Sequence, residues 1–142
     1  MINVSNFTTY TSFLEYYSKK ICPALREIDI SLKYGSNIDV STTSQLLHIS
    51  EEEVHTIIKK LSIKNISKEN FLKIMFNGTS FICSLYKREI ECGCPKYYTP
   101  SQLSYIYCLD TLALQMIYND LNIQVANTEI LPTIFKKMGS LN

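Results

Sequence analysis

Residues 46–61 read LLHISEEEVHTIIKKL, and the fold of the chain turns on how that stretch is parsed. Leu46 and Leu47 close one apolar run, while Val54, Ile57, Ile58 and Leu61 form another with the i, i+3, i+4 spacing of a helix face. Only His48, Ile49 and Ser50 separate them, too few residues for anything but a tight turn. The stretch therefore predicts two short helices, Ser41–Leu47 and Glu51–Leu61. Ser50 and Glu53 have the S-x-x-E spacing of a capping box, in which hydroxyl and carboxylate exchange bonds with backbone donors. Glu51 and Glu52 fall in the first turn, where each stabilises the positive end of the helix dipole by about 0.3–1 kcal/mol.

The same periodicity extends both ways. Upstream, Phe13, Tyr17, Ile21, Ala24, Leu25, Ile28 and Leu32 lie on one face of a helix predicted over Tyr10–Tyr34 and stopped by Gly35, Ser36 and Asn37. Pro23 lies inside it and predicts a kink or a break, because proline has no N–H and presses on the preceding turn. Downstream, Ser67 is an N-cap for a helix that sends Phe71, Ile74 and Met75 to the core before Asn77-Gly78 turns the chain. Ser80 caps another helix bearing Ile82, Leu85, Tyr86 and Ile90, and the loop ECGCPKYYTP (residues 91–100) follows.

From there the order of elements repeats. Residues 40–63, VSTTSQLLHISEEEVHTIIKKLSI, align without a gap on residues 100–123, PSQLSYIYCLDTLALQMIYNDLNI. Eight of the nine apolar positions in the first segment meet an apolar residue in the second, and Ser41, Ser44, Ile57, Leu61 and Ile63 meet identical ones. This predicts an all-α chain built from two copies of one helical unit, divided as 1–77 and 78–142.

Thr43, Ser44, Leu47, His48, Ile49, Ser50, Val54, Ile57 and Ile58 together resemble the core of the bacterial and phage helix-turn-helix superfamily. In that pattern a small residue lets the helices cross, an apolar residue plugs the corner and a capping Ser opens the second helix. Ser104, Leu109, Asp110, Leu114, Ile117 and Tyr118 stand at the same places in the second copy. The resemblance covers about 24 residues per copy and implies a DNA-binding transcription regulator. Two features depart from it. His48 and Cys108 stand where such turns commonly have Gly, and Glu51 and Glu52 occupy the exposed start of the recognition helix, where carboxylates repel phosphates. The first copy accordingly reads as a scaffold.

The second copy would face outward with Thr111, Leu112, Gln115, Met116 and Asn119. Gln115 has the donor–acceptor pair for adenine, and Thr111 and Asn119 suit phosphate or base edges. Lys59, Lys60, Lys64, Lys68 and Lys73, and separately Lys87, Arg88 and Lys96, are the candidate phosphate contacts. Double-stranded DNA is then the expected partner. The alternative reading is a non-enzymatic adaptor or inhibitor directed at a protein of nucleic-acid machinery, with Tyr97, Tyr98, Tyr105, Tyr107, Leu112 and Met116 as its interface. Either reading accommodates a homodimer.

Composition bounds these readings. The chain has 142 residues, 46% of them hydrophobic and 19% charged, with a net charge of +1, so it can bury a core without disulfides and exerts no global pull on nucleic acid or acidic membranes. Plentiful Ile, Lys, Asn and Tyr without Trp is the bias of AT-rich codons, as in a low-GC bacterium or its phage. The start, MINVSNFTTYTSF, has no signal-peptide pattern and no stretch approaches a membrane span, which predicts a cytoplasmic protein with five reduced cysteines and no membrane partner. Cys92-Gly-Cys94 lacks the paired C-x2-C spacing of structural zinc sites, and Glu51 with His55 needs no metal. With only His48 and His55, and four glycines, neither a nucleophile–base arrangement nor a phosphate loop is present, so no enzyme activity and no cofactor are expected.

Overall fold

The computed structural model describes residues 12–35 and 38–140, the last of these in backbone only, and the regular structure in them is helical apart from one isolated bridge. The chain is all-α, as its periodicity requires. Tyr10, Ser36 and Asn37, which the sequence placed at the start and stop of the first long helix, lie outside the described residues.

That helix is α1 (Phe13–Tyr16) and α2 (Cys22–Tyr34), joined by a π-helical turn over Tyr17–Ile21. The interruption expected at Pro23 takes this form for a steric reason. The proline ring would press on the carbonyl four residues back, and widening the turn to i→i+5 pairing moves that carbonyl aside.

The remaining helices are α3 (Val40–Leu47), α4 (Glu51–Leu61), α5 (Lys68–Asn77), α6 (Phe81–Glu91), α7 (Pro100–Tyr107), α8 (Thr111–Asp120) and α9 (Leu131–Ser140). Most begin at a side-chain cap that can be read in the sequence. Asp39, Ser50, Ser67, Thr99 and Asp110 each accept the N–H of the residue three further on.

Contacts group the chain into two units, Cys22–Lys87 and Met1–Ile21 with Arg88–Asn142, where the sequence reading placed a single division at 77/78. Two sets of long-range interactions account for the grouping. Phe13 meets Phe135 edge-on at 4.9 Å between centroids, and Tyr17 and Tyr107 meet the same ring at 5.0 and 5.1 Å, so α1 packs on α9 rather than on the helices that directly follow it. At the other boundary, the Ser80 hydroxyl donates to the Leu47 carbonyl at 2.6 Å, which holds the start of α6 against the end of α3. A methyl group on Gly78 would collide with Cys83 Sγ, so the turn before α6 requires a glycine for close approach and not for its dihedral angles, φ −77 and ψ 165.

At the corner between the paired helices and at the end of the second helix, the sixty-residue offset holds at equivalent atoms. His48 and Cys108 end α3 and α7 in the left-handed conformation at φ 58 and 57. Ser44 Oγ donates to the Ile49 carbonyl at 2.6 Å and Ser104 Oγ to the Leu109 carbonyl at 2.7 Å. The N–H of Ile49 returns to the Ser44 carbonyl, and that of Leu109 to the Ser104 carbonyl, both at 3.2 Å. Ser62 and Asn122 are left-handed at φ 56 and 55, each followed by an isoleucine N–H bonded back to position 58 or 118 at 3.0 Å. Val54 and Leu114 are fully buried, as are Ile74 and Ile134 in the following helices. Such agreement at equivalent atoms means that one local folding pattern is used twice.

Candidate functional site

The exposed faces of α4 and α8 differ in chemistry between the two copies. Thr111, Leu112, Gln115, Met116 and Asn119 all face solvent on α8, and Glu51, Glu52, His55, Thr56 and Lys59 do so at the equivalent positions of α4. Burial of Leu114, Ile117 and Tyr118 fixes this orientation, because these three occupy the opposite stripe of α8. Leu112 is 75% and Met116 58% exposed, and one turn apart they form a continuous apolar strip with Gln115 beside it. The corresponding strip on α4 is Glu52 and Thr56. Two surfaces built on the same backbone thus present apolar contact in one unit and negative charge in the other.

In the same unit, Tyr105 is 50% exposed on α7, and its hydroxyl donates to Glu91 Oε1 at 2.5 Å. This bond to a carboxylate raises the Tyr105 pKa. Thr111 Oγ1 lies 2.8 Å from Ser104 Oγ, so its hydroxyl is already engaged at the turn. Tyr97 is 59% exposed in the loop before α7.

Three residues assigned to a surface role by sequence are structural. Tyr98 is 5% and Tyr107 8% exposed, which removes both from any interface. The Tyr98 hydroxyl donates to Glu89 Oε1, and burial with that bond raises its pKa well above the usual tyrosine value. Tyr107 belongs to the aromatic cluster around Phe135, where burial raises its pKa even further. Arg88 is half-buried, its Nε donates to the Ile106 carbonyl at 2.9 Å, and its Nη2 is buried without a hydrogen-bond partner among the described residues, so two of the three guanidinium nitrogens are turned inward. Periodicity could not expose these roles, since each depends on a partner at least nine positions away.

Of the other basic residues, Lys59, Lys60, Lys64, Lys68, Lys73, Lys87 and Lys96 are exposed. The Lys87 ammonium lies 5.6 Å from the centre of the Phe76 ring, a cation–π distance. Residues 22–87 carry eight basic and seven acidic side chains, and the other unit carries six of each, so neither has the positive surplus typical of a phosphate-binding surface.

Glu53 does not close the capping box. Ser50 Oγ accepts its N–H at 3.0 Å, but the Glu53 carboxylate accepts the Thr79 N–H at 2.8 Å and the Thr79 hydroxyl at 2.9 Å. The reciprocal box forms instead at Thr99 and Gln102, at the start of α7. Among the described residues no group of three or more His, Cys, Asp or Glu side chains is placed to hold a metal ion, and no helix is long and apolar enough to cross a membrane. Cys83 is buried and Cys94 exposed, while Cys22, Cys92 and Cys108 are half-buried.

No protein-family model matches the chain, and comparisons with curated proteins and with solved structures found no match.

Proposed function

We propose that this chain is a non-enzymatic protein-binding adaptor or inhibitor that engages its partner through the exposed face of α8. The observation that carries this reading is the exposure of Leu112 and Met116 on a helix whose other side is fully packed. Adjacent large apolar side chains in water are an unfavourable arrangement for a monomer, and interfaces are enriched in methionine and aromatic side chains such as Tyr105. The near-balance of charge in both units favours a protein surface over phosphate as the target. The test uses the repeat as its own control. A photo-crosslinking residue at Leu112 should capture a discrete partner from a native extract, and one at the equivalent Glu52 should not. Equal labelling at both positions would remove the assignment.

A second reading, a cytoplasmic DNA-binding regulator built from tandem helix-turn-helix units, is favoured by one observation: Gln115, flanked by Thr111 and Asn119, is exposed near the middle of α8. In that case Gln115→Ala should cost about 1–3 kcal/mol for the preferred duplex, whereas Lys87→Ala should weaken all sequences alike and flatten the salt dependence. Retention on a random-sequence duplex column at low salt separates the two readings, since the adaptor passes through.

A further inference from the structure

The two copies differ in a second place, next to the segment that leads into each helix pair. In the unit that contains α8, residues 98 and 126 pair as an isolated bridge, with Tyr98 N–H to the Ala126 carbonyl at 2.7 Å and Ala126 N–H to the Tyr98 carbonyl at 2.9 Å. The Tyr118 ring is buried there, and its hydroxyl donates to the same Tyr98 carbonyl at 2.8 Å.

Sixty residues earlier the equivalents are Ile38, Ile66 and Ile58. Ile38 N–H reaches the Ile66 carbonyl at 3.2 Å, but the return bond from Ile66 N–H to the Ile38 carbonyl is not formed among the described residues. Ile58 is too short to reach that carbonyl and has no donor to offer it. What remains is an open groove of about 400 Å³ lined by Ile38, Val40, Ile58, Ile63 and Ile66, with Asp39, Lys64 and Asn65 as its polar members. One copy thus carries its own phenol on a backbone carbonyl. The other has the equivalent carbonyl on Ile38, a residue that lines the groove, and no such side chain.

We propose that this groove is a binding site for a small phenol, which places its ring against Ile58 and Ile63 and donates its hydroxyl to the Ile38 carbonyl as Tyr118 does to that of Tyr98. Mostly apolar walls with a small number of placed polar groups are the usual make-up of a small-molecule site. The site shares no residue with the α8 face, so it stands or falls independently of the adaptor reading.

The probe is p-cresol, titrated into the whole chain and followed by isoleucine methyl NMR, with 4-methylanisole as the same ring without a donor. Saturable shifts confined to Ile38, Ile58, Ile63 and Ile66 are expected, with the anisole about fivefold weaker for want of one hydrogen bond. Ile58→Tyr should supply the phenol from the chain itself and abolish the p-cresol shifts. Binding of the anisole as tight as or tighter than that of p-cresol, the order expected of a merely greasy surface, would overturn the proposal. So would shifts spread over the molecule, or undiminished p-cresol binding by folded Ile58→Tyr. If that variant does not fold, the comparison of the two ligands on the unaltered chain decides.

Discussion

His48 and Cys108 offer a perturbation whose sign can be worked out before any contact is considered. Both are non-glycine residues held at φ 58 and 57 at the corner between two helices. The left-handed conformation costs an ordinary L-residue about 1–2 kcal/mol, and glycine essentially nothing. Glycine also loses more backbone freedom on folding, which takes back about 0.4–1 kcal/mol. His48 is exposed and makes no side-chain contact that a glycine would forfeit to the core, so His48→Gly should stabilise by about 0.5–1 kcal/mol. His48→Val has the opposite sign. A β-branched residue is a true outlier at positive φ, and a loss of about 1–2 kcal/mol relative to histidine is expected. The assay is urea unfolding of the three proteins followed by circular dichroism. The midpoints should rank Gly, His, Val at constant m-value, with the same order for glycine and valine at Cys108. A glycine variant less stable than the parent at both corners would mean that the side chains of His48 and Cys108 hold the turn, and the strain argument would be wrong.

Further expectations concern the core, the alkaline limit and the link before α6. Val54→Asp and Leu114→Asp each bury a charge at a fully enclosed position and should destabilise by several kcal/mol, while Glu52→Ala on the exposed face should cost under ~1 kcal/mol; melting curves unmoved by Val54→Asp would disprove the packing of α4. Burial pushes the Tyr118 phenol up to about 12, above the ordinary unfolded value of ~10. Its contribution is therefore complete below pH ~10 and lost as the pH rises through about 12, and Tyr118→Phe should make the alkaline fall in urea midpoint shallower; parallel pH profiles would argue against it. Glu53→Ala and Thr79→Ala should be non-additive in a double-mutant cycle, because the Thr79 hydroxyl donates to that carboxylate while the residue 79 N–H bond survives in Thr79→Ala, and simple additivity would argue against the tie through the hydroxyl.

Much of what depends on residues close in sequence was legible from the chain alone, although the capping box read at Ser50 and Glu53 forms at Thr99 and Gln102 instead. Apolar spacing of three and four placed the helices before α9, which was not read from the sequence, and named Val54, Ile57, Leu114 and Ile117 as inward, and all four are buried. The caps at Ser50, Ser67 and Asp110 follow from a side chain reaching three residues ahead, which is local geometry. The sixty-residue register was visible for the same reason, since each position of the pattern is set within its own turn. Whether Leu112 and Met116 were core or surface stayed open until the helix was seen seated on Leu114, Ile117 and Tyr118.

Only the tertiary structure decided which groups at long separation meet. The aromatic cluster of Phe13, Tyr17, Tyr107 and Phe135 joins α1 to the far end of the chain, and no periodicity encodes that pairing. Arg88 turned from a phosphate contact into a clamp on the Ile106 carbonyl, and Glu53 from a helix cap into a tie to Thr79. A charged or phenolic side chain carries no sequence mark of its partner, because a hydrogen bond is satisfied by whichever complementary group the packing brings within about 3 Å. A helix needs only its own turn to form, and a buried polar group needs the whole fold to find its partner.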